Sequence, residues 1–450
     1  MSSQFDDAKH IVLDQYGNQL EITDELARGG QGVVFRTSDP DLAIKQPLTA
    51  NGRPDSSAKL QDSFAKIRCL PIPDRLQISL PVSILDSEPG YVMTLLSDMT
   101  PFSHFDINGN VREDLKAEPV PTWLEGMNRA NAELFMHYAN TGSSKRRHYA
   151  MYKCACLLAR LHSAGLVYGD VSPNNAFIGD GVPCDVWLID ADNLRFEATS
   201  NAPSVYSPGY GAPEVVRSID SSRPYSDIWA FAIMSFQTLA LTHPFIGKAV
   251  LNPEDDEGGW DSDDWDADTN QTEKPTDLDE QAYSGYLPFI DDELDDSNTS
   301  MSGLPRELMM TPFLQKLYQE TLGYGREKPW RRSAMLFWAV AFAQAHDTML
   351  VCPSCKMSYF HSEEECPYCK KQRPRYALIS TEKWRIVVQG SDAPYEFALP
   401  KRLFEPFSPT SSDDTAYFAL IDMDNRSISP VRGTVRFPED LSITFHEGGR

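Results

Sequence analysis

The 450-residue chain reads as an α+β protein, strand-rich first and helical after, followed by a small four-cysteine module and an all-β C-terminal module. Three observations predict this. A glycine-turned strand pair near the N-terminus is followed by a short strand ending in Lys45. An apolar-striped helix then runs into a loop presenting Asp170 and Asn175. Finally, two Cys-Pro-x-Cys knuckles supply Cys352, Cys355, Cys366 and Cys369.

Composition sets the outer limits. Hydrophobic residues make up 41% and aromatics 11%, enough to bury a core in two or more domains. The formal charge is -24, a poor match to the phosphate backbone of nucleic acid. Much of it lies between Glu254 and Asp296, which hold 18 acidic residues against the single Lys274. The polar start and the lack of any run of ~18 apolar residues predict a cytoplasmic chain with no signal peptide or membrane span. Cys69, Cys154, Cys156 and Cys184 sit scattered in apolar contexts and read as reduced core thiols.

Residues 1–19 read as an N-terminal extension. Residues 20–98 read as strand-rich. Alternation over 20–36, broken at Gly29, Gly30 and Gly32, predicts strand, turn and strand. Leu42–Lys45 and Tyr91–Leu96 are further strands, and Ala58–Cys69 has helical spacing. Residues 99–348 read as mainly helical. The clearest helix there runs from His148 to Ala164. Two short strands, Ala176–Ile178 and Val186–Ile189, flank a Gly-Asp-Gly turn, and helices follow over 226–241, 312–324 and 332–346. Residues 253–302 look like an acidic insertion, largely unstructured by composition, with Tyr283, Leu287, Phe289 and Ile290 able to dock on the helical region. Residues 349–374 hold the cysteines, and 375–450 alternate like short strands between Pro and Gly turns.

The chemistry concentrates in four places. Small residues at Ala27, Gly29, Gly30 and Gly32 let backbone amides approach phosphate oxygens, and Lys45 can point an ammonium at them. Asp170 and Asn175, five residues apart on one loop, suit a base for a hydroxyl and an oxygen ligand for magnesium. Fifteen residues on, Asp190 ends a strand and can bridge magnesium to phosphates, with Asp192 close by.

In this order and spacing the motifs resemble the eukaryotic-like protein kinase fold, from about Leu20 to Ala345. Downstream, Gly211-Ala212-Pro213-Glu214 resembles the end of an activation segment. Asp227-Ile228-Trp229 resembles the start of the buried central helix, and Arg332 stands where the ion-pair partner of Glu214 is expected. The resemblance implies a two-lobed kinase using ATP and magnesium on Ser or Thr of protein substrates. It implies that Lys45 holds phosphates, Asp170 is the catalytic base, and Asn175 and Asp190 hold magnesium. Ala27, Gly29, Gly30, Gly32, Val34, Ala43 and Met93 would line the nucleotide. Ser207 stands in the substrate-recognition loop, of the Ser/Thr type.

Several positions depart from the pattern. The first loop glycine is Ala27, the His-Arg-Asp triplet is Tyr168-Gly169-Asp170, a lysine is replaced by Ser172, and Asp-Phe-Gly is Asp190-Ala191-Asp192. No glutamate occurs between Glu25 and Glu88 to pair with Lys45, and Asp62 is the best substitute. Gly169 implies activity that does not depend on a phosphorylated activation loop. The groups that touch nucleotide, metal and hydroxyl are present, which favours an active enzyme. The rival reading is a nucleotide-binding pseudokinase scaffold acting through its ribbon and β module.

The cysteines, at two-residue spacing within each pair and ten residues between pairs, predict one structural zinc in a ribbon. Lys356, Lys370, Lys371, Arg373 and Arg375 make its rim basic. The β module shows no catalytic signature and reads as an interaction module. A kinase followed by a zinc ribbon is similar to regulatory kinases of bacterial gene clusters linked to tellurite resistance and stress response. That architecture implies a PP2C-type phosphatase and a von Willebrand A-domain protein as partners.

Overall fold

The computed structural model describes residues 10–448, apart from 30–31, 50, 57–59, 181–184, 198–203, 252–276, 412–413, 432–436 and 438. Gly30, Cys184 and the most acidic part of the expected insertion therefore lie outside the described residues.

The first lobe is one antiparallel sheet of order β1-β2-β3-β4-β6-β5. Its strands are β1 His10–Leu13, β2 Gln19–Gly29, β3 Gly32–Thr37, β4 Leu42–Gln46, β5 Pro81–Ile84 and β6 Tyr91–Thr94, with helix α1 at Leu60–Arg68. The expected extension over 1–19 is corrected in its second half: β1 pairs with β2 from His10↔Ile22 to Leu13↔Gln19, so the sheet includes His10–Leu13. Side chains alternate faces along β4. Ile44 packs with Val12, Leu20, Leu85 and Val92 on one face. Ala43 packs with Tyr91 and Met93, flanked by Val34, on the other. Lys45 follows Ala43 by two and shares that second face.

The second lobe is helical. It contains α2 Gly109–Ala117, α3 Arg129–Asn140, α4 Ser143–Ser163, α5 Pro213–Val216, α6 Pro224–Ala240, α7 Lys248–Leu251, α8 Leu278–Tyr283, α9 Arg306–Met309, α10 Pro312–Tyr318 and α11 Met335–Asp347. Its short strands are β7 Met99–Pro101, β8 Leu166–Val167, β9 Ala176–Gly179, β10 Val186–Leu188 and β11 Arg195–Phe196. Helix α4 starts five residues before the expected His148, because buried Arg147 satisfies the preceding turn. Its guanidinium donates to the carbonyls of Thr238, Tyr138, Ser143 and Phe105. Helix α10 continues through Gln319–Gly323 as a π-helical turn, which carries the expected 312–324 helix to its end.

The second half of the expected insertion packs on the lobe through the apolar residues singled out in the sequence. Residues 277–302 are part of the lobe: Phe289 and Ile290 are buried, and Asn298 donates to the carbonyls of Phe245 and Pro288. Apolar side chains outweigh local charge here, since burial recovers about 25 cal/mol per Å².

The four-cysteine segment carries β12 Met349–Val351 and β13 Ser358–Phe360, an antiparallel pair. It docks on the start of α4. Ser358 Oγ accepts from Lys145 N at 2.7 Å, and Ser358 N donates to Ser143 Oγ at 2.9 Å. Two three-stranded sheets follow, β15-β14-β19 and β16-β17-β18. Their strands are β14 Tyr376–Ser380, β15 Arg385–Gln389, β16 Tyr395–Pro400, β17 Thr415–Asp422, β18 Ser427–Pro430 and β19 Ser442–His446. A buried knot ties them to α11: Asp347 accepts from Arg402 Nε and Nη2 and from Trp384 Nε1 at 2.7–2.8 Å. One hydrophobic core runs from the second lobe through the cysteines into these strands.

A second buried pair braces the lobe. Arg332 grips Glu214 through two parallel bonds of 2.8 and 2.9 Å, and both residues are about as buried as core leucines. Replacing Arg332 with alanine strands the Glu214 carboxylate in the interior. The expected loss is about 3–5 kcal/mol of folding free energy. Urea unfolding of the variant measures it, and a midpoint equal to wild type refutes the bracing role.

Candidate active site

The strand register brings the N-lobe residues together. Lys45 lies opposite Val34 in β3 and Tyr91 in β6, and Ala43 lies opposite Met93. Ala27 also lies opposite Val34, and Gly29 pairs with Gly32 at the hairpin end. Gly32 is fixed by a close approach. A Cβ there would stand 2.5 Å from the carbonyl oxygen of Gln46, so only glycine keeps β3 against β4.

Lys45 is 7% exposed and reaches across to the second lobe. Its ammonium pairs with Asp190 Oδ1, and with Asp192 Oδ2 at 2.8 Å. The hydroxyl of buried Tyr91 donates to Asp192, 2.8 and 2.9 Å from its two carboxylate oxygens. Burial pulls the Lys45 proton affinity down, but the charges of Asp192 and Asp190 outweigh it and raise it overall. Burial pushes the Asp190 carboxyl up to about 6; Lys45 opposes this and Asp192 reinforces it.

The loop from Tyr168 to Asn175 is held from below. Asp227, at the start of α6, accepts from the backbone N–H of Tyr168 and Gly169, both at 2.8 Å, and bonds His162 Nε2 at 2.9 Å. Gly169 has φ +87, the left-handed region that favours glycine. Asp170 is nearly fully buried. Its Oδ2 accepts from Asn175 Nδ2 at 3.1 Å, and its Oδ1 accepts from Ser207 Oγ at 2.8 Å. Asn175 Nδ2 also donates to the Asp170 carbonyl at 3.0 Å, which leaves the amide oxygen as the ligating end. Two bonds tie this loop to the Asp190 strand: Ile189 N to the Asn175 carbonyl at 2.9 Å, and the Tyr168 hydroxyl to the Ile189 carbonyl. Asp190 itself has φ 58, which turns the chain sharply after β10.

One expectation is corrected. Asp62 lies exposed on α1, and the carboxylates on Lys45 are those of Asp190 and Asp192. An aspartate is one methylene shorter than the glutamate it was to replace. Tyr91 and the anchoring role of Asp192 were missed, although the lack of a glutamate between Glu25 and Glu88 pointed to an unusual partner. Replacing Asp192 with alanine removes the acceptor of a buried hydroxyl and one of two anions on Lys45. The expected cost is about 1–3 kcal/mol, read as a lower denaturation midpoint. An unchanged midpoint would show that Asp192 anchors nothing.

The cysteines form a second candidate centre. Cys352 and Cys369 Sγ are 3.5 Å apart, Cys355 and Cys366 Sγ 3.6 Å apart, and all four lie within 4.8 Å of one another. Zn–S bonds of about 2.3 Å in a tetrahedron put sulfurs roughly 3.8 Å apart, so the thiols fit one zinc. All but Cys369 are buried.

Among the described residues, no helix is long and apolar enough to cross a membrane. Residues 123–282 match the family model described as protein kinase domain. Over 99 residues the chain is 34% identical to serine/threonine-protein kinase PknL of Mycobacterium tuberculosis, covering 21% of this chain and 24% of that one. It is 32% identical over 93 residues to a probable serine/threonine-protein kinase of Dictyostelium discoideum, covering 20% and 17%. It is 28% identical over 110 residues to mitogen-activated protein kinase 13 of Mus musculus, covering 24% and 30%. The chain thus spans about a quarter of the length of PknL. The stretch that holds Asp170, Asn175, Asp190, Glu214 and Asp227 matches the protein kinase domain, and part of the chain is similar to serine/threonine protein kinases.

Proposed function

We propose that this protein is an ATP- and magnesium-dependent kinase that phosphorylates Ser or Thr of protein substrates. One observation carries the reading. Lys45, Asp190, Asp170 and Asn175 come from three separate segments, Asp170 and Asn175 sharing one loop, and meet between the lobes through direct or single-residue links. In this reading Lys45 binds and orients the phosphates of ATP. Asp170 orients the substrate hydroxyl and takes its proton, and Ser207 now fills that hydroxyl's place. The oxygen ligands of Asn175 and Asp190 suit magnesium, a hard cation that supplies charge neutralisation at the phosphates when bound. Catalysis rests on positioning, because the transition state needs little covalent help from the protein.

Zinc in the four-cysteine ribbon is structural in this reading, since all four ligands come from the protein. We place the protein in the cytoplasm, in bacterial signalling or stress response, with a PP2C-type phosphatase and a von Willebrand A-domain protein as partners. These assignments rest on the order of its modules.

One observation favours a second reading, a nucleotide-binding scaffold. Lys45 is already engaged by two carboxylates, so ATP must compete for it. Incubation with γ-labelled ATP and magnesium separates the two. Label on the protein or on a generic acceptor supports the enzyme. Magnesium-dependent ATP binding without label supports the scaffold.

A further inference from the structure

The seam between the second lobe and the two C-terminal sheets is not closed. Strands β15 and β16 are consecutive in the chain, yet each is the outer strand of a different sheet, and they do not pair. Between them lies a cleft of about 430 Å³, floored by Lys145 and Tyr149, one turn apart on α4. Its apolar walls include Val387 of β15 and Phe397 of β16. A cleft of this size at a module interface, mostly apolar with a few polar groups, is the usual form of a small-molecule site.

The polar groups set the ligand's charge. Lys145 and Arg402 bring two positive charges to the cleft, and Asp347 brings one negative. Burial holds the His346 imidazole below its ordinary range, so it stays neutral near pH 7. Asp347 is committed: Arg402, Trp384 and His346 Nδ1 all bond to it. Lys145 is different. Among the described residues its ammonium makes one hydrogen bond, to the Met349 carbonyl at 3.2 Å. Two of its three N–H donors remain for a ligand. Burial pulls its proton affinity down, with Asp347 only partly opposing. A bound anion would relieve this cost.

We propose that this cleft binds a small organic anion, an apolar body carrying one carboxylate or phosphate that pairs with Lys145. None of its lining residues is among the active-site groups, so the proposal stands apart from the kinase reading.

The test uses the full chain with isotope-labelled isoleucine and valine methyls. It is titrated with benzoate, phenyl phosphate and the neutral isostere benzamide. The expected result is saturable shifts at Ile386, Val387 and Val388, with either anion binding at least about tenfold tighter than benzamide. The tighter of the two anions identifies carboxylate or phosphate as the ligand group. Lys145→Met should remove that preference, and Val387→Trp, which fills the cleft, should remove binding of all three. Folding of both variants is checked by circular dichroism. Neither anion binding more tightly than benzamide, an unchanged preference in Lys145→Met, or no shift at these methyls at millimolar anion overturns the proposal.

Discussion

Replacing Asp190 with asparagine is expected to lower phosphoryl transfer by about 10³-fold or more, with the fold intact. The substitution keeps size and removes one charge from a nearly enclosed cleft. In such a setting a single electrostatic contact is worth about 10²–10³ in rate, and a metal ligand more. Stability should change little, because Lys45 keeps its bond to Asp192, and Asp192 keeps Tyr91. The measurement is label transfer from γ-labelled ATP, alongside circular dichroism. A variant that transfers label at the wild-type rate would remove Asp190 from the chemistry.

The second large effect belongs to the cysteines. Stripping zinc with a chelator, or replacing Cys366 with serine, is expected to unfold the ribbon and lower the stability of the whole second lobe. Structural zinc contributes on the order of 10 kcal/mol to segments this small. The loss should spread because the ribbon is not a free appendage. Ser358 bonds the first turn of α4, and Tyr368 packs edge-on against Phe135 of α3 at 5.8 Å. Helix α4 in turn leads into the Asp170 loop. Elemental analysis should find one zinc per chain, and chelation should lower the thermal midpoint. A zinc-free chain with an unaltered melting curve would refute the assignment.

The parts of the site that were legible in the sequence are those whose chemistry is local. Asp170 and Asn175 are five residues apart and meet through their own side chains, so spacing alone placed them. The four cysteines were legible for the same reason, since a knuckle brings each pair together without the rest of the fold. The link from Tyr91 to Asp192 spans 101 positions, and that from Lys45 to Asp192 spans 147. Such contacts depend on strand register and on how the lobes close, which periodicity does not encode. The same limit hid β1. Its four residues, His10–Leu13, are mostly exposed, and only pairing to β2 makes them a strand. Over residues 277–302 charge alone pointed to an unstructured insertion, and the apolar side chains Phe289 and Ile290 were the signal of docking, because burial of a few such groups decides it.

The Asp347 knot bears on how this protein is put together as an evolutionary object. Kinase domains are commonly treated as interchangeable cassettes that tolerate new tails. Here, a chain ending at residue 348 would lose both Arg402 and Trp384 and leave a buried carboxylate with only His346. The tail cannot be shed or exchanged without also rewriting the end of α11. Homologues that lack the two sheets should therefore carry an uncharged residue in place of Asp347, and limited proteolysis of this chain should release no stable kinase-only fragment.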